Sequence, residues 1–463
     1  MKQSATTTPL SLGTDRLSSL LARYAVPAII AMTSSSLYNI IDSIFIGHGV
    51  GPMAISGLAL TMPLMNLAAA FGSMVGIGAA SIISIRLGQG NKRAAEQTLG
   101  NVVLLNITIG LVFAVLGLTF LDPILYFFGA SDSTISYSRD FMQVILSGNF
   151  ITHLYLGLNE VLRASGYPRK SMGIMLTAVA VNIMLNPLFI FVLGWGIRGS
   201  ALATIAAQTT ALCISLRHFS DSDSFLHFKR GVFRFRRKIV AGIISIGIAP
   251  FMIQICASVV VIFVNKALQG HGGDIYIGAY GIINRVVMLF IMVVAGLNQG
   301  MQPIVGYNYG ARQYDRVIKT LRMTIVCAVC VTTAGFLVSR LFPRAVVSLF
   351  VGDDGGTDAE ALIAAAEHGM RLVLTAFPLV GFQIVTGNFF QYIGKAKRAI
   401  LLSMTRQMLF LVPLLIVLPP VFGTDGVWYS MPVADSLATL LAALLLFIQL
   451  RRFRKNPDGD KSI

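Results

Sequence analysis

Charge is what this sequence has least of. Only 12% of its 463 residues are Asp, Glu, Lys or Arg, while 55% are hydrophobic and the mean hydropathy is +0.75. A soluble protein carries roughly twice that charged fraction, so a large soluble enzyme is excluded. Acidic residues are the scarcer kind, 20 against 36 basic ones. Cysteine is nearly absent too. Cys213, Cys256, Cys327 and Cys330 all fall in apolar stretches, which leaves no disulfide framework, and Cys327-x-x-Cys330 reads as small apolar packing. The six histidines are scattered and no paired acids gather at one membrane face, so neither a metal centre nor an integral-membrane enzyme is expected. No Gly-x-x-x-x-Gly-Lys-Ser/Thr loop occurs, since Gly394-Lys395 lacks the upstream glycine; direct use of ATP is excluded, and no cofactor is expected. A cleavable leader is not expected either, because residues 1–23 are polar and the first apolar run is full length.

What is present is a set of twelve apolar runs, each long enough to cross the ~30 Å core of a bilayer as a helix. They lie near 24–46, 52–85, 99–120, 140–162, 171–193, 199–216, 239–264, 275–306, 321–342, 371–391, 399–419 and 427–450. The second and eighth are long, but each sits between one charge-poor turn and one basic loop, which favours one tilted span apiece. The sequence also repeats itself. Gly47-His48-Gly49 matches Gly270-His271-Gly272, Gly90-Asn91-Lys92-Arg93 matches Gly310-Ala311-Arg312-Gln313, and Gly166-Tyr167-Pro168-Arg169-Lys170 matches Gly394-Lys395-Ala396-Lys397-Arg398, at offsets of 220 to 228. The expected fold is therefore an all-α polytopic membrane protein of twelve transmembrane helices in two pseudo-symmetric six-helix lobes. The N-lobe covers 1–216, a basic interlobe linker 217–238, the C-lobe 239–450 and a basic tail 451–463. Internal repeats of this kind are common in secondary transporters.

The basic excess follows the loops. With the N-terminus in the cytoplasm, 29 of the 36 cations lie near inward-facing ends, six near outward-facing ends, and Arg285 falls within a span. That bias predicts both termini inside. It orients the chain in a membrane and gives no reason to expect a nucleic-acid partner. The linker, with Arg230, Arg234, Arg236, Arg237 and Lys238, is expected to rest on anionic headgroups. The outward segment 343–371, which holds Asp353, Asp354, Asp358, Glu360 and Glu367, reads as an interfacial turn, as does its counterpart 122–139.

Three carboxylates fall within spans: Asp42, Glu160 and Asp435. An ionisable group there is costly, which makes each a candidate site. Ser35, Tyr38, Asn39 and Asp42 share one face of the first helix. Asn182 and Asn186 share a face of the fifth, Pro187 frees the carbonyl of Ile183 beside them, and Thr204 of the sixth adds a hydroxyl. A carboxyl group among amides in low dielectric can exchange a proton as water access changes; the competing role for Asp42 is to close a structural network. The repeat supplies a control, because Asp42 corresponds to Asn265, Asn39 to Ile262 and Asn186 to Leu414. The polar cluster is thus confined to the N-lobe. In the C-lobe, Asp435 and Arg285 form a buried pair, or Asp435 lines a cavity that attracts a cation. Glu160 and Arg163 read as a snorkelling pair at the interface, His48 and His271 as turn residues, and His153 as a packing residue.

These features, with Gln302-Pro303-Ile304-Val305-Gly306-Tyr307-Asn308-Tyr309-Gly310 and Leu162-Arg163-Ala164-Ser165-Gly166-Tyr167-Pro168-Arg169, make the chain resemble the multidrug and toxic compound extrusion (MATE) family over essentially its whole length. The resemblance implies a V-shaped pair of bundles, in a bacterial inner membrane and expected to be monomeric. It further implies export of organic cations in exchange for protons or sodium. Asp42 falls where the family has its N-lobe aspartate, Asn182 and Thr204 match polar neighbours in proton-linked members, and Pro27 becomes a hinge candidate. Leu185-Asn186-Pro187 departs from the family's Leu-Asp-Pro, which bears on ion stoichiometry. Members thought to bind sodium carry acids in spans seven and ten. Here Gln254, Ser258, Gln383 and Asn388 stand there, so protons are favoured. The rival within the superfamily, a lipid-linked precursor flippase, would need a cationic cavity, and Arg285 is the one basic residue expected deep in a span.

Overall fold

Lipid offers a crossing backbone no hydrogen-bond partner, so each apolar run bonds its own amides as a helix. The computed structural model describes residues 9–455 apart from 129, 133, 230 and 351–356, and among them there are helices and turns but no strand. Eleven helices are long and apolar enough to cross a membrane, and a bent pair makes a twelfth crossing. In the N-lobe these are α1 (Leu17–Gly49), α2 (Pro52–Gly88), α3 (Lys92–Thr119), the bent α4 (Ile135–Ser147 with Asn149–Ala164), α5 (Pro168–Val192) and α6 (Gly196–Ser220). The C-lobe has α7 (Arg237–Gly272), α8 (Asp274–Gly310), α9 (Tyr314–Leu341), α10 (Ala359–Tyr392), α11 (Ala396–Phe422) and α12 (Thr424–Lys455).

The long second and eighth runs are each a single helix, continuous through Pro63 and Pro303. The fourth run is not straight: Ile135–Ser147 and Asn149–Ala164 meet at 54°, with Gly148 at the bend packed on the Ile205 side chain. The tenth crossing begins earlier than hydropathy suggests. Its opening turns hold Glu360 and Glu367, which pair with Arg344 at 2.6 Å and Arg371 at 2.8 Å instead of lying in a turn. Asp353, Asp354 and Arg230 lie outside the described residues.

The repeat is visible in the backbone, with one change of register. Gly90 has φ 73°, and the residue that takes this left-handed place in the C-lobe is Arg312 (φ 59°), not Gly310. In both turns the next residue donates to the carbonyl five positions back, Asn91 to Arg86 and Gln313 to Asn308. The matched glycines are therefore not structural equivalents, because an arginine occupies the strained position in the C-lobe turn.

Small residues join the lobes. A Cβ on Gly78 would strike the backbone of Ile243 on α7, and one on Gly300 would strike Ala25 on α1. Between these crossings Gly88 and Gly310 lie against the backbones of Tyr307 and Ile85, so α2 and α8 meet closely near the pseudo-twofold axis. Interlobe side-chain bonds at the same end include Gln302 Nε2 to Ser81 Oγ at 3.2 Å and Arg316 Nη2 to the Asp15 carbonyl at 2.8 Å, and nearer mid-span Ser36 Oγ on α1 meets Met292 Sδ on α8 at 2.7 Å. At the opposite end the nearest neighbours of Gly47, Gly49 and Gly57 are N-lobe atoms, and those of Gly272 and Gly278 are C-lobe atoms. The lobes therefore join at the end that carries the basic loops and part at the other. Gly310→Val forces a branched side chain into the Ile85 backbone and is expected to cost about 1–3 kcal/mol. An unchanged melting temperature in detergent would contradict this contact.

Candidate functional site

Three N-lobe helices build the site. Asp42 on α1 is 8% exposed and faces two short ladders, Asn182 and Asn186 one turn apart on α5, and Ser200 and Thr204 one turn apart on α6. Ser200 Oγ donates to Asp42 Oδ1 at 2.8 Å, and Asn186 Nδ2 donates to the same oxygen. The chain continues: Asn186 Nδ2 lies 3.3 Å from Asn182 Oδ1, and Asn182 Nδ2 donates to Thr204 Oγ1 at 3.2 Å. Asn186 and Ser200 are fully buried. The ionised carboxylate, an acceptor only, is thus met by donors.

Asn186 has one further property. Its Oδ1 is buried and, among the described residues, has no partner. The amide therefore offers a donor to the carboxylate while keeping an acceptor in reserve. Pro187 follows directly, and the backbone beyond it runs as a π turn, Leu188–Val192, in which Leu193 donates to the Leu188 carbonyl at 3.0 Å. Proline removes one helical donor, and the wider turn re-forms the ladder.

Of the residues singled out in the sequence, Asp42, Asn182, Asn186 and Thr204 are brought together. Ser200 was missed; its spacing of four from Thr204, matching that of Asn182 and Asn186, was the available signal. Ser35 is half-buried two turns from Asp42 on α1, and the side chains of Tyr38 and Asn39 lie outside the described residues. α1 continues as a helix through Pro27.

The C-lobe corrects two expectations. Asp435 does not pair with Arg285. Its partner is Arg406, whose Nε lies 2.5 Å from Asp435 Oδ1. Arg406 sits in a π turn, Thr405–Leu411, inside α11, which carries it from the loop into the span. Arg285 is exposed on α8. Gln254 is exposed on α7, and Gln383 is buried on α10 with its Oε1 unpartnered among the described residues. The place equivalent to Ser200, 228 residues on, holds fully buried Trp428, so bulk replaces polarity there.

Glu160 and Arg163 are also not at a water interface. They are bonded to each other, Arg163 is 6% exposed, and its Nη1 crosses between the lobes to Gln299 Oε1 at 2.7 Å. Close packing of α4 on α2 and α8 buries what helix length alone placed at the surface. His48 and His271 each set Nδ1 against the carbonyl one turn back, at 3.0 Å and 2.9 Å, and buried His153 sets Nε2 2.9 Å from the Ala68 carbonyl.

Comparison with known proteins agrees with this architecture. Over 425 residues, 92% of each chain, the sequence is 28% identical to the multidrug export protein MepA of Staphylococcus haemolyticus (strain JCSC1435). It is 27% identical over 448 residues, 95% of each, to MepA of Staphylococcus aureus (strain MRSA252). A solved structure of a multidrug resistance MATE family transporter of the MOP superfamily in an outward-facing conformation superposes with a TM-score of 0.89, at 24% identity, over 98% of this chain and all of that one. The MatE family model matches twice, at residues 27–188 and 250–417, one match in each half of the duplication. The chain belongs to the MatE family.

Proposed function

We propose that this protein is a multidrug exporter of the bacterial plasma membrane that moves lipophilic organic cations outward in exchange for protons. The MepA relatives are named for multidrug export, and the two-lobe fold is suited to alternating access. The bias of basic residues toward the closed end supports a cytoplasmic side for that end and for both termini. The lobes are then open to the outside.

The observation that carries proton exchange is the pairing of Asp42 with Asn186. In the ionised state Asn186 Nδ2 and Ser200 Oγ satisfy Asp42 Oδ1. When a proton arrives from outside, Asp42 becomes a donor, and Asn186 Oδ1, without a partner among the described residues, is the acceptor it meets after the amide turns over. The bond between α1 and α5 is thereby exchanged for another, and α1 can repack about Pro27. The negative charge that held a cation is lost, and the cation leaves outward. Return to the inward-facing state breaks the Arg163–Gln299 bond and delivers the proton inside. No carboxylate stands at Gln254, Ser258, Gln383 or Asn388, which leaves a C-lobe sodium site without its charge. Arg406, which the π turn carries into α11, is paired with Asp435, which argues against a cationic cavity for a pyrophosphate-linked lipid.

Ethidium efflux from proteoliposomes, with proton and sodium gradients imposed separately, tests this. Efflux driven by the proton gradient alone is expected. Efflux driven only by sodium would overturn the coupling, and no cation flux under either gradient would overturn the export.

A further inference from the structure

The seam between α1 and α5 holds the Asp42 site toward one end. Toward the basic end the same seam opens as a groove of about 530 Å3. Ala22, Val26 and Ile30 form its α1 wall at helical spacing, and Met172 stands on the α5 wall. Val26 and Ile30 are 52% and 43% exposed, so the groove offers apolar surface to the membrane. Arg23 and Arg169 also line it, one from each helix. Arg23 spends one nitrogen on Asp15 at 3.2 Å, and a guanidinium has five N–H donors. Arg169 is the second residue of α5, where the first amides have no helical acceptor and the dipole favours an anion. Pro27 is in the lining too, and its missing N–H leaves the Arg23 carbonyl without a helical donor.

We infer that this groove is a binding site for one anionic phospholipid of the basic-end leaflet. The phosphate lies between Arg23 and Arg169, and an acyl chain runs along Val26, Ile30 and Met172. The carbonyl of Arg23 is placed to accept from a headgroup hydroxyl, and the two arginines favour a headgroup of net negative charge, as in phosphatidylglycerol, over zwitterionic phosphatidylethanolamine. Basic pockets between membrane helices recognise lipids by the same chemistry. The consequence for transport rests on the proposed function. Asp42 is fifteen residues from Pro27, ~22 Å along the helix, so a lipid lodged between α1 and α5 at the hinge sets how far the two helices can shift at the Asn186 contact.

Binding and transport are separable in the test. Purified full-length protein is mixed with phosphatidylglycerol in detergent and bound lipid is counted by native mass spectrometry. Arg23→Gln and Arg169→Gln are each expected to weaken retention about fivefold, from ~1 kcal/mol per basic side chain near an anionic lipid. Ala22→Trp, which fills the groove and keeps both charges, is expected to remove the same lipid and guards against misfolding in the Arg23 variant. Arg451→Gln, in the tail helix, is expected to change nothing. Equal retention by wild type, Ala22→Trp and the two arginine variants would overturn the site, whether or not the protein transports anything. In phosphatidylethanolamine vesicles, added phosphatidylglycerol is expected to stimulate wild-type efflux and not Ala22→Trp efflux. Equal stimulation of both would overturn the link to transport.

Discussion

Asp42→Asn is expected to reduce proton-driven efflux to background while leaving a folded protein that still binds the organic cation weakly. The asparagine keeps an oxygen at the place of Asp42 Oδ1, so the donors Ser200 Oγ and Asn186 Nδ2 remain satisfied. The change in stability should stay within about 1 kcal/mol. What is removed is the proton and the negative charge. Asp42→Leu is the informative companion, because it strands both buried donors at about 1–3 kcal/mol each. If Asp42 only closes a structural network, transport will follow stability: Asp42→Asn will export almost normally and Asp42→Leu will not. If it carries the coupling proton, both fail and only the second unfolds early. Melting temperature and ethidium efflux measured on the same preparations separate the two. Normal uphill export by Asp42→Asn would remove the coupling role.

Asn186 gives the same argument from the other side. A carboxylate there would touch Asp42 and the pair would have to share a proton, whereas the amide donates to the ionised acid and can accept from the neutral one. Asn186→Leu is therefore expected to impair efflux more than its loss of one hydrogen bond would suggest. Efflux within twofold of wild type, at equal expression, would show that the reserve acceptor has no part in transport.

The sequence carried the architecture because the rules of a lipid environment are few. Apolar length, basic bias and a duplicated turn pattern foreshadowed the crossings and the two lobes, and Asp42 with Asn182, Asn186 and Thr204 stood out as polar groups in apolar runs. Ser200 did not, because a serine in a small-residue helix resembles ordinary packing until a carboxylate is placed 2.8 Å away. Arg406 was hidden by its proximity to a basic loop, since nothing in hydropathy reveals a π turn that swings it toward α12. Glu160 and Arg163 were misplaced for a related reason: a helical spacing of three shows that two residues can pair, not that a second lobe closes over them.

Arg406→Met is expected to be the most destabilising single change in the C-lobe, at about 3–5 kcal/mol, because it leaves the Asp435 carboxylate, only 5% exposed, without its partner. Asp435→Leu should cost less, since the Arg406 side chain is about one-third exposed and can turn its charge toward water. The double variant Arg406→Met/Asp435→Leu should recover most of the loss, because apolar groups of similar size often replace a buried ion pair at little cost. Such non-additivity is the signature of direct coupling, and additive losses in thermal unfolding would show that the pair is incidental. Transport by the double variant then decides between the two roles open to Asp435. A purely structural pair predicts near-normal efflux of monovalent and divalent organic cations alike. A carboxylate that shares its charge between Arg406 and a passing substrate predicts that the stable double variant loses divalent cations first, because the remaining acids of α10 and α12, Glu360, Glu367 and Asp425, sit in the opening turns of those helices and are already paired with Arg344, Arg371 and His368.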